Sequence, residues 1–495
     1  MARRLSLGFD VGTQSVKALL LDLDLGRVVD RASRPLELLS GLPEGAAEQH
    51  PEDWWQAVVA CARELAGRAG IKGGELRGMA VSGQQHGLVT LDAAGRPVRP
   101  AKLWCDTSTA AEARELSERL GRPVPTGFTA SKLLWLRRHE PQNRARVRTV
   151  LLPHDWINFR LTGERAMECG DASGTGFFDL PTRRFDPVAM AAIDPELEGW
   201  LPPLVPQDRA LGRLGPEAAR LMGLDAGIPV AAGSGDNMMS AIGAGAVEEG
   251  TLVLSLGTSG TAFLHSPRPF ADPRGEIAGF CDATGGYLPL LCVMNMTGVT
   301  EDLRRFLGKD LDHERLTALA AASPPGSGGL VYLPYLVGER VPDLPHAAGL
   351  ISGIRPGRLE AGNLYRAAIE GTSISMARGV DRLRELGARV DEVRIVGGAA
   401  RNPVWRRTLA TLLDRPIRVL AEAESAALGA AIQAAALDDA PGFDIAAWSR
   451  RCVAIDGPSE EPVPAWRPAL LAARETFDRL VQAVHGLTDK RTTAG

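Results

Sequence analysis

Short apolar runs that end at glycine alternate along this chain with longer segments in which apolar residues recur at helical spacing. A short apolar run bounded by turn residues is typical of a buried strand. Such runs predict strands over residues 5–10, 16–22, 77–82, 228–232, 251–256, 261–264 and 393–396. The longer segments predict helices over residues 51–70, 107–120, 363–380 and 403–413. Strands that alternate with helices indicate an α/β fold.

One pattern occurs twice, about half a chain apart. A strand leads into a turn that contains Gly-Thr and polar residues, and a second strand follows, over residues 5–22 and again over 251–264. The repeat indicates two copies of one folding unit, which we place in domains 1–248 and 249–495. A cleft between domains is a usual place for a ligand, so the two turns are expected to close on one nucleotide.

The first of these turns has the chemistry of a phosphate site. Gly12, Thr13, Gln14 and Ser15 offer backbone N–H groups and hydroxyls, which suit phosphate oxygens. Asp10 lies directly before them and suits a divalent cation held through water, because Mg²⁺ gives up its hydration shell reluctantly. An ordinary hairpin turn is the alternative.

A single carboxylate stands between the strand predicted at residues 228–232 and an apolar helix. The linking segment, residues 233–238, reads Gly-Ser-Gly-Asp-Asn-Met, and its glycines allow a ligand to approach the backbone closely. Asp236 is therefore a candidate general base. The alternative is that Asp236 only caps the helix that follows.

Two further strand ends carry groups suited to a sugar. Gln85 and His86 lie between glycines after a predicted strand, and both offer hydrogen-bond donors and acceptors. Farther along, Trp104 offers an apolar face for a sugar ring, and Asp106 offers a carboxylate for its hydroxyls. The alternatives are a structural histidine, a core tryptophan, and an aspartate that caps the helix at residues 107–120.

A Gly-Gly turn in the second half is a candidate seat for a nucleoside. Gly397 and Gly398 follow a predicted strand and leave room for a base or ribose, and a helix with Pro403 in its first turn comes next. The small-residue segment 422–431 is expected to form a helix that packs close to this seat. Neither a P-loop nor a Rossmann cofactor site is indicated, because the chain lacks both glycine motifs in the required context.

Composition narrows the class of protein. The 56 Lys and Arg residues nearly balance the 60 Asp and Glu residues, and no long basic run occurs, which argues against a nucleic-acid partner. The six cysteines are scattered without a CxxC pair, which argues against a zinc site or a disulfide framework. Because we find neither a signal-peptide pattern nor an apolar stretch of membrane-spanning length, we expect a soluble, cytoplasmic protein with no membrane partner. Homodimerisation is left open.

Two long motifs are similar to the signatures of a known family, the FGGY carbohydrate kinases. The first is Gly-Phe-Thr-Ala-Ser-Lys-Leu-Leu-Trp-Leu-Arg-Arg-His at residues 127–139, and the second begins at 349–354 and ends at 363–370. Shorter motifs resemble this family at residues 235–237, 254–260 and 333–340. The resemblance implies two actin-like, ribonuclease-H-like ATPase domains with a cleft between them, the first binding the sugar and the second the nucleotide.

The resemblance also implies a reaction and a set of site residues. The reaction is the ATP-dependent phosphorylation of a ketose, D-xylulose at C5, in pentose catabolism. Asp236 is implied as the base and Asp10 as the Mg²⁺ residue. The residues implied to bind the sugar are Gln85, His86, Trp104, Asp106, Asp236 and Asn237. The residues implied to bind ATP are Gly12, Thr13, Gln14, Lys17, Gly257, Thr258, Gly397, Gly398 and Asn402.

Two alternatives to this reaction stay open. The acceptor is another ketose or a pentitol in the first, for example ribulose, L-xylulose or ribitol. In the second, the chain is a nucleotide-gated sensor on the same scaffold, which closes on ATP without forming a sugar phosphate. The fold alone does not separate an enzyme from a sensor, because function resides in the site. The carboxylate of Asp236 and the polar groups of Gln85 and His86 weigh against the sensor.

Overall fold

Two central β-sheets, one in each half of the chain, organise the fold. The computed structural model describes residues 3–308, 310–439 and 442–486. Within these residues the first sheet has seven strands and the second has six. Helices pack against both sheets, which confirms the predicted α/β class.

The strands of the first half run from Leu5 to Gly235. They are β1 (Leu5–Val11), β2 (Ser15–Asp22), β3 (Arg27–Pro35), β4 (Glu48–Gln49), β5 (Leu76–Gly83), β6 (Val89–Leu91), β7 (Ala101–Lys102), β8 (Thr149–Leu151), β9 (Met167–Glu168), β10 (Phe178–Asp179), β11 (Arg184–Phe185), β12 (Leu204–Val205), β13 (Ala210–Arg213), β14 (Pro229–Ala231) and β15 (Ser234–Gly235). The first sheet has the order β13-β14-β5-β1-β2-β3, and β15 also pairs with β5.

The helices of the first half connect and cover these strands. They are α1 (Pro51–Ala69), α2 (Ala110–Leu120), α3 (Thr129–His139), α4 (Pro141–Arg144), α5 (Pro153–Thr162), α6 (Cys169–Ala172), α7 (Pro187–Ile193), α8 (Pro216–Met222) and α9 (Asp236–Gly243). Helix α1 begins at a proline, has Glu52 and Asp53 in its first turn, and ends at Gly70 in the left-handed conformation. Its Trp54 and Trp55 are buried in the core of the first half.

The second half follows the same plan with fewer strands. These are β16 (Gly250–Leu256), β17 (Gly260–Leu264), β18 (Leu290–Val293), β19 (Val331–Leu333), β20 (Leu350–Ser352), β21 (Val390–Val396), β22 (Ile417–Leu420) and β23 (Ile455–Glu460). The helices are α10 (Thr297–Leu307), α11 (His313–Ala322), α12 (Ala361–Glu385), α13 (Pro403–Leu413), α14 (Ser425–Ala436), α15 (Ile445–Cys452) and α16 (Arg467–His485). Among the described residues, no helix is both long enough and apolar enough to cross a bilayer.

The two sheets share one topology. In the first, β1, β2 and β3 are antiparallel neighbours, while β5 and β14 extend the sheet in parallel on the other side of β1. In the second, β16, β17 and β18 are antiparallel, and β21 and β22 extend the sheet in parallel. The repeat predicted from the two Gly-Thr hairpins is therefore confirmed.

Helix α14 joins the two halves. It follows β22 of the second sheet in the chain but packs on β1, β5 and α9 of the first half. Gly8 and Gly78 make room for it, since a Cβ atom on Gly8 would lie 2.0 Å from the carbonyl oxygen of Ala427, and one on Gly78 would lie 2.7 Å from that of Ala434. The predicted small-residue helix is present, but its main contacts are with the first half rather than with the turn at Gly397.

The proposed domain boundary falls between α9 and β16. Residues on both sides of this boundary form a shared apolar cluster, to which Met239 and Ile242 of α9 and Leu428 and Ile432 of α14 belong. The division at residues 248 and 249 stays a prediction, because α14 lies beyond it in the chain and covers the first sheet.

Candidate active site

The two candidate catalytic aspartates are brought to the same edge of the first sheet. In the parallel pairing of β1 with β5, Asp10 is opposite Ser82, and Ser234 of β15 is opposite the same serine. Asp236 begins α9 two residues later. Its position therefore follows from strand register: the carboxyl ends of β1, β5 and β15 meet at one edge, where Asp10 also lies.

Asp236 is half-buried at this edge, and one of its carboxylate oxygens accepts hydrogen bonds from the next residue, Asn237. The backbone N–H and the Nδ2 amide of Asn237 donate to Asp236 Oδ1 at 2.8 and 2.9 Å. Gly235, not Asp236, occupies the N-cap position of α9, so the structure does not support the helix-capping alternative. Burial, together with the negative charges of Asp10 and Asp171, raises the pKa of Asp236 to about 8. A carboxylate in that range suits general-base catalysis near neutral pH.

Asp10 is held at the end of β1. Ser82 Oγ donates a hydrogen bond to Asp10 Oδ1 at 3.2 Å. Burial raises the pKa of Asp10 to about 6, although the positive charge of Lys17 opposes the rise. Lys17 is paired with Glu424 of the second half at 2.6 Å. The lysine predicted to meet phosphate thus also links the two halves beside Asp10.

The charge of this edge suits a divalent cation. Asp10 presents a carboxylate at this edge, and hard cations prefer such oxygen ligands. Within the described part of the chain, no cluster of three or more His, Cys, Asp or Glu residues is placed to hold a metal. Mg²⁺ sites in proteins commonly use one or two carboxylates together with water and substrate phosphates, and Asp10 offers one such carboxylate.

The turn between β1 and β2 is tied to the predicted sugar side. Thr13 Oγ1 donates to Gln84 Oε1 at 2.9 Å and accepts from Trp104 Nε1 at 3.0 Å. The backbone N–H of Gly12 bonds within the turn, to the carbonyl oxygen of Ser15 at 3.1 Å. The side chain of Gln14 is exposed. Trp104 therefore contacts the turn that is predicted to bind phosphate, and it is not simply a core residue.

His86 forms part of an aromatic wall. Its backbone φ is 66°, and its ring lies 4.5 Å from the ring of Phe128 and 5.7 Å from that of Phe280, centroid to centroid. Burial lowers the pKa of His86 to about 3, and the positive charges of Lys132 and Arg340 act in the same direction. The imidazole is therefore neutral and can both donate and accept hydrogen bonds.

Gln85 and Asn237 meet beside Asp236. The Nδ2 amide of Asn237 donates to Gln85 Oε1 at 2.8 Å, and Thr261 Oγ1 of the second half lies 3.4 Å from Asn237 Oδ1. The structure therefore brings together Gln85, His86, Asn237 and Asp236, whose positions in the chain are as much as 152 residues apart.

Asp106 has a different environment from the one expected of a sugar ligand. Its side chain has no exposed surface. One oxygen accepts from Lys102 Nζ and from the backbone N–H of Ala47, both at 3.0 Å, and the other accepts from the N–H and the hydroxyl of Ser108. Its role in sugar binding stays a prediction, but this geometry favours a structural role at the turn before α2.

A cavity of about 1200 Å³ opens in the second half. Three residues predicted at the nucleotide line it, namely Thr258, Gly398 and Asn402. The hairpin turn at Gly257 and Thr258 is fixed against the start of α10, since the backbone N–H groups of Met296 and Thr297 donate to their carbonyl oxygens. Thr297 and Gly298 at the start of α10 also line the cavity, so the Gly257 turn and this helix end share one wall of it.

The Gly397 turn has the shape that its sequence suggested. Gly397 has a φ of 92°, in the left-handed region that favours glycine. A Cβ atom on Gly398 would meet no other atom within 4 Å, so the turn leaves space on the cavity side. Asn402 caps α13 through its Oδ1 atom and donates from Nδ2 to Thr317 Oγ1 at 2.9 Å.

Several residues of the site escaped the sequence analysis. Phe280 of the second half packs against the ring of His86, and Thr317 and Leu336 line the cavity of the second half. Asp171 lies beside Gly235 although its own glycine turn gave no sign of a function. The approach of each to the site depends on contacts with chain segments far away in the sequence.

Family models match both halves of the chain. The model for the N-terminal domain of the FGGY family of carbohydrate kinases matches residues 5–243. The model for the C-terminal domain of the same family matches residues 252–437. Together they span most of the chain, and their limits fall close to the ends of α9 and α14.

Curated relatives cover most of the chain as well. A xylulose kinase from Haemophilus influenzae is 38% identical over 445 residues, which are 86% of this chain and 90% of the relative. A xylulose kinase from Streptomyces coelicolor is 40% identical over 467 residues, which are 92% of each protein.

Solved structures show the same fold. A crystal structure described as a xyloylose kinase from Brucella ovis superposes with a TM-score of 0.90 at 31% identity, covering 98% of this chain and all of the other. A xylulose kinase from Rhodospirillum rubrum superposes with a TM-score of 0.86 at 30% identity, covering 98% and 99%.

Proposed function

The chain belongs to the FGGY family of carbohydrate kinases, and from this premise we propose that it phosphorylates D-xylulose at C5 with ATP. Relatives that are xylulose kinases align with it over most of its length, which supports this choice of sugar. The observation that carries the proposal is Asp236, half-buried beside Asp10 with its pKa raised to about 8. No observation favours the sensor alternative.

We assign the proton transfer to Asp236. Its carboxylate accepts the proton of the C5 hydroxyl while that oxygen forms its bond to the γ-phosphorus of ATP. The bond from the γ-phosphorus to the β–γ bridging oxygen breaks, and ADP leaves with the electron pair. In reactions of this kind most of the catalysis is positioning and neutralisation of charge, and Gln85, His86 and Asn237 are placed to orient the sugar.

We assign the nucleotide to the cavity of the second half. Gly398 and Asn402 would lie at the adenosine, and Gly12, Thr13, Gly257 and Thr258 at the phosphates. When bound, Mg²⁺ would neutralise negative charge on the phosphate oxygens. Asp10 would hold it through water, because Mg²⁺ usually keeps several waters and binds through one or two carboxylates and substrate phosphates.

A comparison of acceptors tests the proposed reaction. With ATP and Mg²⁺ present, we expect kcat/KM for ADP release to be highest with D-xylulose among four acceptors: D-xylulose, L-xylulose, D-ribulose and ribitol. A coupled assay of initial rates measures it, with a reaction lacking sugar as the blank. A higher kcat/KM for another acceptor would overturn the choice of sugar, and nucleotide-dependent closure without ADP release from any acceptor would favour the sensor.

The Gly398→Ala variant tests the position of adenosine. A methyl group on Gly398 meets no protein atom within 4 Å, so the protein without nucleotide should keep its thermal stability. The added group projects into the proposed seat, and we expect KM for ATP to rise about tenfold, which corresponds to about 1.4 kcal/mol, with KM for the sugar unchanged.

The neighbouring glycine supplies the control for this variant. A Cβ atom on Gly397 would lie 2.4 Å from the carbonyl oxygen of Leu256, on a backbone with positive φ, so Gly397→Ala should lower thermal stability even without ATP. An unchanged KM for ATP in Gly398→Ala would place adenosine elsewhere.

A further inference from the structure

A buried network leads from the interior of the first half to Asp236. We propose that Asp171, held by His154, is a positioning residue for Asp236 and acts on it through Gln85 and Asn237. The proposal rests on the proposed function, because it concerns the residue to which we assign proton transfer. It adds two buried residues, Asp171 and His154, which the sequence analysis did not assign to the site.

The inner end of the network is a buried pair of titratable residues. His154 of α5 and Asp171 of α6 both lack exposed surface. The Nδ1 atom of His154 is 2.9 Å from Asp171 Oδ2. A contact of this kind fixes the imidazole ring and the carboxylate in one orientation, since neither group can turn toward water.

The outer end fixes the catalytic carboxylate. Both hydrogens of the Asn237 Nδ2 amide are used, one toward Gln85 Oε1 at 2.8 Å and the other toward Asp236 Oδ1 at 2.9 Å. The orientation of Asn237 therefore depends on Gln85, and the orientation of Asp236 depends on Asn237. This leaves Asp236 Oδ2 as the oxygen to meet the sugar.

The two ends face each other across Gly235. In the part of the chain that the structure describes, Gln85 Nε2 and Asp171 Oδ1 are buried and have no hydrogen-bond partner. A Cβ atom on Gly235 would lie 3.0 Å from Gln85 Cδ and 3.2 Å from Asp171 Oδ1. One of these atoms is a donor and the other an acceptor, and leaving both unpaired is costly. In the proposed network Gln85 Nε2 donates to Asp171 Oδ1, which pairs both atoms.

The charges around the network determine how it affects Asp236. Asp236 faces Asp10 of β1 and Asp171 of α6, and Asp10 in turn faces Lys17 and Glu424. His154 faces Asp155, Glu168 and Asp171. Burial alone would lower the pKa of His154, but these three carboxylates raise it to about 9. A protonated His154 therefore offsets part of the negative charge that Asp171 places near Asp236.

Two substitutions in the same pair should shift the acidic limb of the pH–rate profile in opposite directions. Asp171→Asn removes a negative charge near Asp236, so the limb of kcat/KM should move to lower pH by about one unit, the low end for a charge a few ångströms away. His154→Gln removes the opposing positive charge, so the limb should move to higher pH. The sugar used is the acceptor that wild type turns over fastest.

Asp155→Asn is the matched control. Asp155 Oδ1 lies 3.1 Å from Nε2 of His154, on the other side of the ring from Asp171, and Asp155 is not in contact with Gln85 among the described hydrogen bonds. It removes the same charge from the same buried cluster, and we expect a smaller shift of the acidic limb than in Asp171→Asn. Equal shifts in the two variants, or shifts of the same sign in Asp171→Asn and His154→Gln, would overturn the proposal.

Two further measurements keep the proposal testable if a charge variant fails to fold. Gln85→Met breaks the link without changing charge, so kcat should fall about tenfold while the acidic limb stays in place; unchanged kcat would contradict the proposal. NMR titration of the His154 ring in the wild-type protein measures the protonation of the buried His154–Asp171 pair and requires no turnover. A wild-type enzyme that releases no ADP with any sugar would refute the proposed function, whereas normal turnover with unshifted profiles would refute the network alone.

Discussion

Asp236→Asn is expected to lower sugar-dependent turnover by about 10²–10⁴, the contribution of a well-placed general base. Asparagine has the shape of aspartate, and its oxygen can still accept the hydrogen bonds that Asn237 donates to Asp236 Oδ1. Its amide does not accept a proton at neutral pH, so the C5 hydroxyl loses its base. ATP binding should be unchanged, because the cavity to which we assign the nucleotide lies in the second half and Asp236 does not line it.

Turnover and ATP affinity should be measured on the same preparation of each variant. kcat is taken from coupled ADP release, and the Kd for ATP from calorimetry. Asp208→Asn is a matched control, since the side chain of Asp208 is exposed and pairs with that of its neighbour Arg209, and this variant should keep wild-type values. Near wild-type turnover in Asp236→Asn would show that another group is the base.

The raised pKa of Asp236 also predicts that kcat depends on pH. Burial and the charges of Asp10 and Asp171 raise the pKa of Asp236 to about 8. A base acts only when deprotonated, so kcat should rise as the pH increases toward 8 and fall as the carboxylate is protonated below it. Asp236→Asn should remove this acidic limb along with most of the rate. A limb that persists unchanged in the variant would belong to a different group.

The meeting of Asp10 with Asp236 was within reach of the sequence. Both aspartates follow apolar runs, and the carboxyl ends of parallel strands meet at one edge of a sheet. The repeated Gly-Thr hairpin likewise required two copies of one unit, and the two sheets have the same strand pattern. The inference from the hairpins succeeded because it depends on a local pattern that the fold repeats. The roles assigned to the aspartates remain predictions.

Asp106 illustrates what a local pattern does not contain. The residues before it suggested a strand end that faces a ligand, but β7 ends at Lys102 and the chain then turns back on itself. The oxygens of Asp106 are taken by Lys102, Ser108 and the backbone of Ala47. Ala47 is 59 residues away in the chain. Nothing in the sequence around either residue indicates that they meet.

Helix α14 shows the same limit on a larger scale. Its run of small residues correctly predicted a helix that makes a close contact, and the neighbouring Gly397 turn appeared to be the partner. The surfaces that actually require small residues are Gly8 and Gly78 on the first sheet and Gly243 on α9. They lie in the other half of the chain, so the sequence indicated the closeness of packing but not the surface against which α14 packs.

Gly429→Ala is expected to lower the stability of the whole protein by about 3 kcal/mol or more, at or beyond the upper end for an overpacked core. Gly429 lies in α14, where a Cβ atom would be 1.8 Å from the carbonyl oxygen of Met239 in α9. The contact is mutual, since a Cβ atom on Gly243 would be 1.9 Å from the carbonyl oxygen of Ser425. Backbone atoms cannot turn aside as a side chain can, so the two helices must separate.

The same substitution in a different helix should have the opposite effect. Gly67 lies in α1, and a Cβ atom there meets nothing within 4 Å, so Gly67→Ala should stabilise the protein by about 0.5–1 kcal/mol through helix propensity alone. Thermal unfolding of wild type and both variants at one scan rate separates the two effects. Asp236 is the first residue of α9. Separation of α9 from α14 in Gly429→Ala should therefore also lower kcat, even at temperatures below those at which the variant unfolds. A Gly429→Ala variant as stable as wild type would mean that α9 and α14 do not pack backbone against backbone.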